Sequence, residues 1–220
     1  MQDTWTRVDE YFAKRLIRAD HALEQAIVDS SAAGLPPISV TPSQGKLLSQ
    51  LVGLARAKRV LEIGTLGGYS AIWMARALPT DGILITLEID ARHAAVAQRN
   101  VDRAGLTDRV SIVVAPAAES LSRMVRESVP PFDLIFIDAD KQGSVTYFEF
   151  AVTLSHPGSL IVVDNVVRDG KVADASSTDD NVRGIQALID VLDGDRRVAA
   201  TVIQTVGGKG YDGLLLATVA

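Results

Sequence analysis

Short apolar runs that alternate with helical stretches from residue 59 onward are the feature that most constrains the fold. The runs lie at 59–63, 83–88, 110–114, 133–138 and 159–163. The stretches between them, 69–78, 92–104, 117–128 and 141–155, have the character of helices. Alternation of this kind builds βαβ units with right-handed crossovers. The sequence therefore predicts an α/β fold around a parallel sheet.

Both ends of the chain depart from this alternation. After a predicted helix at 181–193, the runs VAATVIQT and GLLLATV are joined by VGGKGYD, a short connection that favours an antiparallel hairpin. Residues 3–33 predict one or two amphipathic helices, and Pro42 lies where proline suits the first turn of another helix, ending near Arg56. We expect one domain over 1–220, with a helical N-terminal part at 1–57 and a ligand-binding core at 58–220.

Composition and charge exclude several classes of partner. A formal net charge of −5 without a basic cluster argues against nucleic acid held through phosphate contacts. The absence of cysteine excludes disulfides, thiolate metal sites and a cysteine nucleophile. No apolar run approaches the roughly 20 residues that span a bilayer, and the first residues form no apolar signal-peptide core. We expect a cytoplasmic protein without a membrane partner.

A glycine-rich turn, VLEIGTLGGYS, joins the first predicted strand to the next helix. Gly64, Gly67 and Gly68 allow the backbone to turn tightly and to approach a ligand. A dinucleotide fingerprint needs glycine at relative positions 1, 3 and 6, and here Leu66 and Tyr69 occupy two of them. A cradle for pyrophosphate is therefore not expected.

Acidic residues at strand ends point to a nucleoside ligand of another kind. Glu88 ends the second strand, where a carboxylate can accept hydrogen bonds from both ribose hydroxyls, and Asp90 is the weaker candidate. Glu62 adds a carboxylate near the glycine turn. Such a lining suits a cationic ligand that carries an amine and a sulfonium. The alternative is that Glu62 and Glu88 are ordinary polar residues at strand ends.

A second group of polar residues follows the fourth and fifth strands. Asp138 and Asp164 end these strands, and Asn165 offers an amide oxygen, which together make a ligand set suited to Mg²⁺. Lys141 starts the next helix, where a neighbouring dication and partial burial would favour a neutral amine able to act as a base. Alternatively, Asp138 caps the helix and Lys141 is a solvated charge. Convergence of both motifs on one sheet edge favours the functional interpretation.

The remaining titratable residues near these motifs are given structural roles. Asp140 is left outside the ligand set because acidic residues in a first turn favour the helix N-terminus. His21, His93 and His156 fall in predicted helical stretches away from the strand ends. We expect none of the three histidines to take part in catalysis.

These motifs resemble the cation-dependent O-methyltransferase family, which includes catechol O-methyltransferase and caffeoyl-CoA O-methyltransferase. The resemblance runs from about residue 35 to the end and rests on VLEIGTLGGYSA, TLEID, IFIDADK, VVDNV, GKVAD and GYDG. It implies a Rossmann-like class I methyltransferase fold. That fold has a seven-stranded, mostly parallel sheet with an antiparallel last strand, helices on both faces and an N-terminal helical extension.

The resemblance also implies roles for individual residues. Asp138, Asp164 and Asn165 match metal ligands, Lys141 matches the proposed general base, and Glu88 matches the residue that binds the cofactor ribose. The positions implied to contact S-adenosylmethionine are Val40, Glu62, Gly64, Gly68, Tyr69, Ser70, Glu88, Ala117 and Asp138. The chain departs from the family pattern at Ser144, Ala115, Arg168 and Tyr211. These departures bear on substrate preference and leave the proposed ligands and base intact.

The sequence thus predicts metal-dependent methyl transfer from S-adenosylmethionine to a hydroxyl of a catechol-like phenolic acceptor, with Mg²⁺ as the cation. An NAD-dependent oxidoreductase on a related fold is disfavoured by the glycine spacing, and a non-catalytic binding protein is disfavoured by the retained ligands and lysine. Arg168 and Lys171 would suit an anionic acceptor, either a free acid or a CoA ester. The family resemblance also implies a homodimer.

Overall fold

A seven-stranded sheet forms the centre of the computed structural model, which describes residues 1–220. The strands are β1 Arg59–Ile63, β2 Ile83–Glu88, β3 Val110–Val114, β4 Phe132–Ile137, β5 Ser155–Asp164, β6 Val198–Gly207 and β7 Gly210–Val219. Their order in the sheet is β3-β2-β1-β4-β5-β7-β6. Strands β1 to β5 pair in parallel, and β7 runs antiparallel to both β5 and β6. The predicted sheet and its antiparallel last strand are confirmed.

Eight α-helices surround the sheet. They are α1 Gln2–Leu16, α2 His21–Ala32, α3 Pro42–Leu54, α4 Tyr69–Ala77, α5 Ala91–Arg103, α6 Ala117–Arg126, α7 Ser144–Thr153 and α8 Asp180–Leu192. The core consists of two hydrophobic clusters, one built with residues of α2, α3 and α4 and the other with residues of α6, α7 and α8. Successive residues of the central strands, such as Val60 and Leu61, belong to opposite clusters. The sheet is thus covered on both faces, as expected from its apolar strands.

Helix α7 and strand β5 do not start at the predicted residues. The stretch predicted as a helix from residue 141 opens with a 3₁₀ turn at Lys141–Gly143, because the Asp140 carboxylate accepts a hydrogen bond from the Gly143 amide at 2.9 Å. Strand β5 begins at Ser155, before the predicted start at 159. Its first residue pairs with Phe132, and the register then shifts before regular pairing resumes at Leu160.

The N-terminal helices differ in how firmly they join the core. Helix α3 starts with a capping box between Thr41 and Gln44 and buries Leu48 and Val52 in the core. Helix α1 has no buried residue. Gln2 Nε2 donates to the Gly207 carbonyl oxygen at 2.9 Å, which ties α1 to the turn between β6 and β7. No helix combines the length and apolar character that crossing a bilayer requires.

Candidate active site

The carboxyl ends of the parallel strands open onto a cavity of about 500 Å³, called here the first cavity. The predicted site residues that line it are Val40, Gly64, Tyr69, Ser70, Glu88, Ala117, Asp138, Lys141 and Asn165. Three other predicted residues, Glu62, Gly68 and Asp164, do not line it. Residues predicted for the nucleoside ligand and residues predicted for the cation therefore line one cavity, because the carboxyl ends of parallel strands meet at one edge of the sheet.

The glycine turn after β1 comes very close to the end of β4. Gly64 has φ of +101°, and a Cβ placed there would lie 2.1 Å from the Asp138 carbonyl oxygen. Gly68 also has positive φ, but a Cβ there would meet Ala97 of α5 at 3.3 Å. Gly64 therefore permits the contact between the glycine turn and the end of β4, whereas Gly68 shapes the start of α4 away from the cavity.

Glu88 lies at the end of β2 with both carboxylate oxygens engaged. Its Oε2 accepts a hydrogen bond from the Leu66 amide at 2.8 Å, and its Oε1 accepts from the amides of Ile89 and Asp90 at 2.9 Å each. A carboxylate offers about four acceptor positions. These three bonds hold the carboxylate at the cavity wall and leave little free capacity, so a ribose diol would have to replace an amide contact.

His93 also belongs to the cavity wall, so the prediction that it lies away from the strand ends is wrong. It stands in the first turn of α5, and its Nδ1 is 3.7 Å from Glu88 Oε1. The signal was available, because the first turn of a helix that follows a parallel strand lies at the ligand-binding edge. His156 lies in β5, where its Nε2 is 2.9 Å from Asp133 Oδ1, and this hydrogen bond raises its pKa. Asp90 caps α5.

Glu62 supports the cavity from beneath. It is fully buried, and its carboxylate accepts hydrogen bonds from the hydroxyls of Ser70 at 2.5 Å and Thr86 at 2.6 Å. Burial raises the pKa of Glu62 to about 8, since these hydrogen bonds only partly offset the loss of solvation. Glu62 thus orients Ser70, which does line the cavity.

Asp164 ends β5 as a buried carboxylate, with 2% of its surface exposed. Its Oδ1 accepts hydrogen bonds from the Asn165 amide at 2.7 Å and from Gln44 Nε2 at 3.2 Å. Burial, followed by the negative charge of Asp138, raises the pKa of Asp164 to about 7. The structure therefore holds two carboxylates within electrostatic reach of each other in a poorly solvated place.

Lys141 is the cation next to this carboxylate pair. Its Nζ lies 3.2 Å from Asp138 Oδ1, and only 8% of the lysine side chain is exposed. The neighbouring Asp140 caps the 3₁₀ turn and accepts a hydrogen bond from the Tyr147 hydroxyl at 2.6 Å, which, after burial, raises the pKa of Tyr147. Asp140 therefore has the structural role predicted for it, and Lys141 faces the cavity.

The donor chemistry at this edge fits a hard cation. Nowhere do three His, Cys, Asp or Glu side chains cluster in a way that could hold a metal ion. The candidate set is instead two carboxylates, Asp138 and Asp164, with the amide of Asn165. Mg²⁺ is commonly bound by one or two carboxylates and completes its shell with water and substrate oxygens. A dication would also relieve the repulsion between Asp138 and the buried Asp164.

Gln44 supports the carboxylate pair and is not among the predicted site residues. Its Nε2 lies 3.2 and 3.3 Å from the two oxygens of Asp164, which is 120 positions away in the chain. The pattern of Thr41 followed by Gln44 predicts a capping box, and the structure contains one. The second role of Gln44 depends on how α3 packs against the sheet, for which the sequence carries no local signal.

Comparisons with known proteins agree with this arrangement. Residues 17–218 match the family model described as O-methyltransferase. The chain is 53% identical to the catechol O-methyltransferase of Niastella koreensis, with 96% of each chain covered. It is 48% identical to an O-methyltransferase from Bacillus cereus in complex with SAH, with a TM-score of 0.98 and 100% of each chain covered. It is also 44% identical to the O-methyltransferase TomG from Streptomyces achromogenes in complex with SAM, with a TM-score of 0.96, covering 100% of this chain and 98% of that one. The chain therefore belongs to the O-methyltransferase family.

Proposed function

We propose that this chain transfers a methyl group from S-adenosylmethionine to one hydroxyl of a vicinal dihydroxy phenol, assisted by a divalent cation, Mg²⁺. The observation that carries the proposal is that Asp138 and Lys141 line the same cavity as Glu88, with the buried carboxylate of Asp164 within electrostatic reach of Asp138. Two relatives support the choice of substrates, because one is called catechol O-methyltransferase and another was solved with the demethylated cofactor.

The first cavity suits S-adenosylmethionine in shape and charge. Glu88 would accept the ribose hydroxyls after releasing an amide, and Ser70, held by Glu62, would offer a hydroxyl to the methionine part. Acidic groups along the wall favour a ligand with an ammonium and a sulfonium. Val40, Tyr69 and Ala117 add apolar or backbone surface to the same cavity.

Asp138, Asp164 and Asn165 would hold the cation. When bound, a divalent cation lowers the pKa of a hydroxyl group that it contacts and restrains the position of that group. Gln44 orients the Asp164 carboxylate through its amide. Asn165 has φ of +58°, a left-handed conformation that asparagine tolerates better than most residues, and it lines the cavity.

Lys141 would take the proton. The hydrogen bond from its Nζ to Asp138 holds the amine at the cavity wall. From there, the amine would accept the hydroxyl proton as the oxygen attacks. The new bond joins that oxygen to the methyl carbon while the bond from carbon to sulfur breaks, and the sulfur keeps the electron pair. The remaining acceleration comes from positioning the two reactants.

Methyl transfer to catechol and to caffeate, measured first with Mg²⁺ and then with EDTA, tests the proposal. We expect product that disappears with EDTA and returns with added Mg²⁺. Lys141→Met should lose most of its turnover and keep its affinity for S-adenosylhomocysteine. Lys58→Met is the matched control, because Lys58 pairs with Asp81 in an exposed salt bridge. Transfer that persists under chelation would remove the metal from the proposal.

The alternatives considered from the sequence can be weighed again. Membership in the O-methyltransferase family removes the basis for an NAD-dependent oxidoreductase. A non-catalytic binding protein would bind the cofactor and leave every diol of the panel unmethylated. The acceptor panel therefore also tests this second alternative.

We also propose that two copies associate. Tyr11, Phe12 and Leu16 on α1 are exposed, as are Ile203 and Val206 on β6, so the region where α1 meets β6 presents apolar surface. Burying such surface is the main favourable term in association. Light scattering after size-exclusion chromatography should give twice the mass of the 220-residue chain. A monomer at micromolar concentration would contradict this proposal.

A further inference from the structure

A second cavity of about 520 Å³ adjoins the first on the side of Asn165. Asn165 and Arg168 line both cavities. Gln44, which holds Asp164, and Lys209, in the turn between β6 and β7, line the second one. Whatever fills the second cavity therefore lies next to the candidate metal ligands and in contact with two cationic residues.

Arg168 has a buried donor atom that no other group of the protein pairs with. Its Nε is buried and makes no hydrogen bond, and a buried donor left unpaired is costly. Its backbone has φ of +56° and is fixed by the Asp212 carboxylate, which accepts hydrogen bonds from the amides of Val167 and Arg168 at 3.0 Å each. The structure thus places an arginine with an unpaired Nε at the wall shared by the two cavities.

Lys209 lines the second cavity from the turn between β6 and β7. Its turn is held by helix α1, since Asp9 accepts a hydrogen bond from the Gly208 amide at 2.8 Å and Gln2 donates to the Gly207 carbonyl. Burial lowers the pKa of Lys209, while the charges of Asp138 and Asp164 oppose that shift. The amine is therefore partly desolvated and within electrostatic reach of the carboxylate pair.

Apart from Asp138 and Asp164, the acidic groups around these cations are engaged by backbone amides. Asp212 Oδ1 accepts from three amides, including that of Gly213 at 2.9 Å. Asp9 accepts from Gly208, and Asp179 caps α8 through the Asn181 amide. This hydrogen bond and, to a smaller extent, the charge of Arg168 lower the pKa of Asp179. None of these acidic groups forms a salt bridge with Arg168 or Lys209. A carboxylate brought in by a ligand would supply the missing partner.

We infer that Arg168 and Lys209 bind a carboxylate carried by the methyl acceptor, so that the preferred substrates are anionic vicinal diols such as dihydroxybenzoates or dihydroxycinnamates. This inference rests on the proposed function, since it takes the diol to lie at Asp138, Asp164 and Asn165. From there, a ring substituent on the far side of the diol would point to the second cavity, which shares Asn165 and Arg168 with the first. Arginine is well suited to this task because its planar donors match a carboxylate.

The structure separates these two residues from other nearby cations. Arg168 and Lys171 are the two residues that the sequence predicts to suit an anionic acceptor. Lys171 lies in the 3₁₀ turn at Lys171–Ala173 and lines neither cavity. It is thus a matched control, close to Arg168 in the chain and equal to Lys209 in charge.

Isothermal titration calorimetry on enzyme saturated with S-adenosylhomocysteine and Mg²⁺ tests the inference through binding, without turnover. The probes are 3,4-dihydroxybenzoate, which carries the carboxylate, and catechol, which lacks it. We expect the wild-type protein to bind the acid more tightly than catechol. Arg168→Met should reduce this preference by about 10-fold or more, as loss of a charge-assisted hydrogen bond does. Lys209→Met should reduce it less, and Lys171→Met should leave it unchanged.

Charge reversal provides a second readout. Lys209→Glu should weaken binding of the acid and strengthen binding of dopamine, a catechol with a cationic side chain. The ratio of kcat/KM for the acid to that for catechol should follow the same order across the variants. Unchanged affinity for S-adenosylhomocysteine shows that each variant is folded.

Three results would overturn the inference. The first is equal binding of acid and catechol by the wild-type protein, with methyl transfer to both, which leaves the proposed function standing. The second is tighter binding of the CoA thioester of 3,4-dihydroxycinnamate than of its free acid, because the thioester masks the carboxylate. The third is the absence of binding and methylation for every diol, which removes the proposed function as well.

Discussion

Gly184 on helix α8 offers a sharp test of how Lys141 is positioned. A Cβ at Gly184 would lie 2.1 Å from the Lys141 carbonyl oxygen and 2.6 Å from the Lys141 carbonyl carbon. Both atoms belong to the backbone and cannot rotate aside. Gly184→Ala therefore forces α8 and the turn at Lys141 apart by roughly 1 Å, and a misplacement of that size in an active site can cost about 100-fold in rate.

The effect on stability is the difference of two terms. Alanine is favoured over glycine inside a helix by up to about 1 kcal/mol, while overpacking a well-packed contact costs about 1–3 kcal/mol. We expect a net loss of about 1–2 kcal/mol in the free energy of unfolding. Urea denaturation measures this loss, and steady-state methylation of catechol measures the fall in kcat.

Gly53→Ala is the matched control for this substitution. Gly53 also lies in a helix, and a Cβ there would meet no atom within 4 Å. This variant should keep the wild-type kcat and gain a few tenths of a kcal/mol, up to about 1 kcal/mol, in stability. If Gly184→Ala behaves like Gly53→Ala in both assays, the contact between α8 and Lys141 does not position Lys141.

Three further predictions follow from particular contacts. Gly64→Ala should lose about 2–5 kcal/mol of stability in urea denaturation, because the added Cβ brings left-handed strain and collides with the Asp138 carbonyl. Its control is Gly105→Ala, which has φ of +69° and no atom within 4 Å of the added Cβ and should lose only about 1–2 kcal/mol. Equal losses in the two variants would count against the collision. Burial raises the pKa of Glu62 from 4.5 to about 8, so between these pH values the native state keeps a proton that the unfolded chain loses. The unfolding free energy of the wild type should therefore fall relative to that of Glu62→Gln in this range, by up to about 1.4 kcal/mol per pH unit. Parallel pH profiles of the two proteins would contradict this. Mg²⁺ at about 100 times its Kd should add about 2.7 kcal/mol of stability, measured as a rise in Tm. Asp164→Asn should lose most of that rise, and Asp108→Asn, at an exposed position, should keep it. An equal rise in both variants would show that the ion binds elsewhere.

The sequence alone determined the architecture and the edge of the sheet that carries the site. Apolar runs separated by helical stretches leave little choice besides a parallel sheet with helices on both faces. In such a sheet the carboxyl ends of strands meet at one edge, so Glu88, Asp138 and Asp164 could be placed together without coordinates. Lys141 could be placed at the same edge because it lies close to Asp138 along the chain. These inferences succeed because they depend on local pattern and on the handedness of βαβ units.

Only the tertiary structure decided which of these residues face the cavity and what supports them. Glu62 and Asp164 proved to be buried beneath it, and His93 proved to belong to its wall. Gln44 reaches Asp164, and helix α1 holds the turn of Lys209, through contacts between segments 120 or more positions apart. Side-chain direction and such contacts depend on how helices and turns pack over the sheet. Local sequence patterns do not record this, because packing joins residues that share no local spacing.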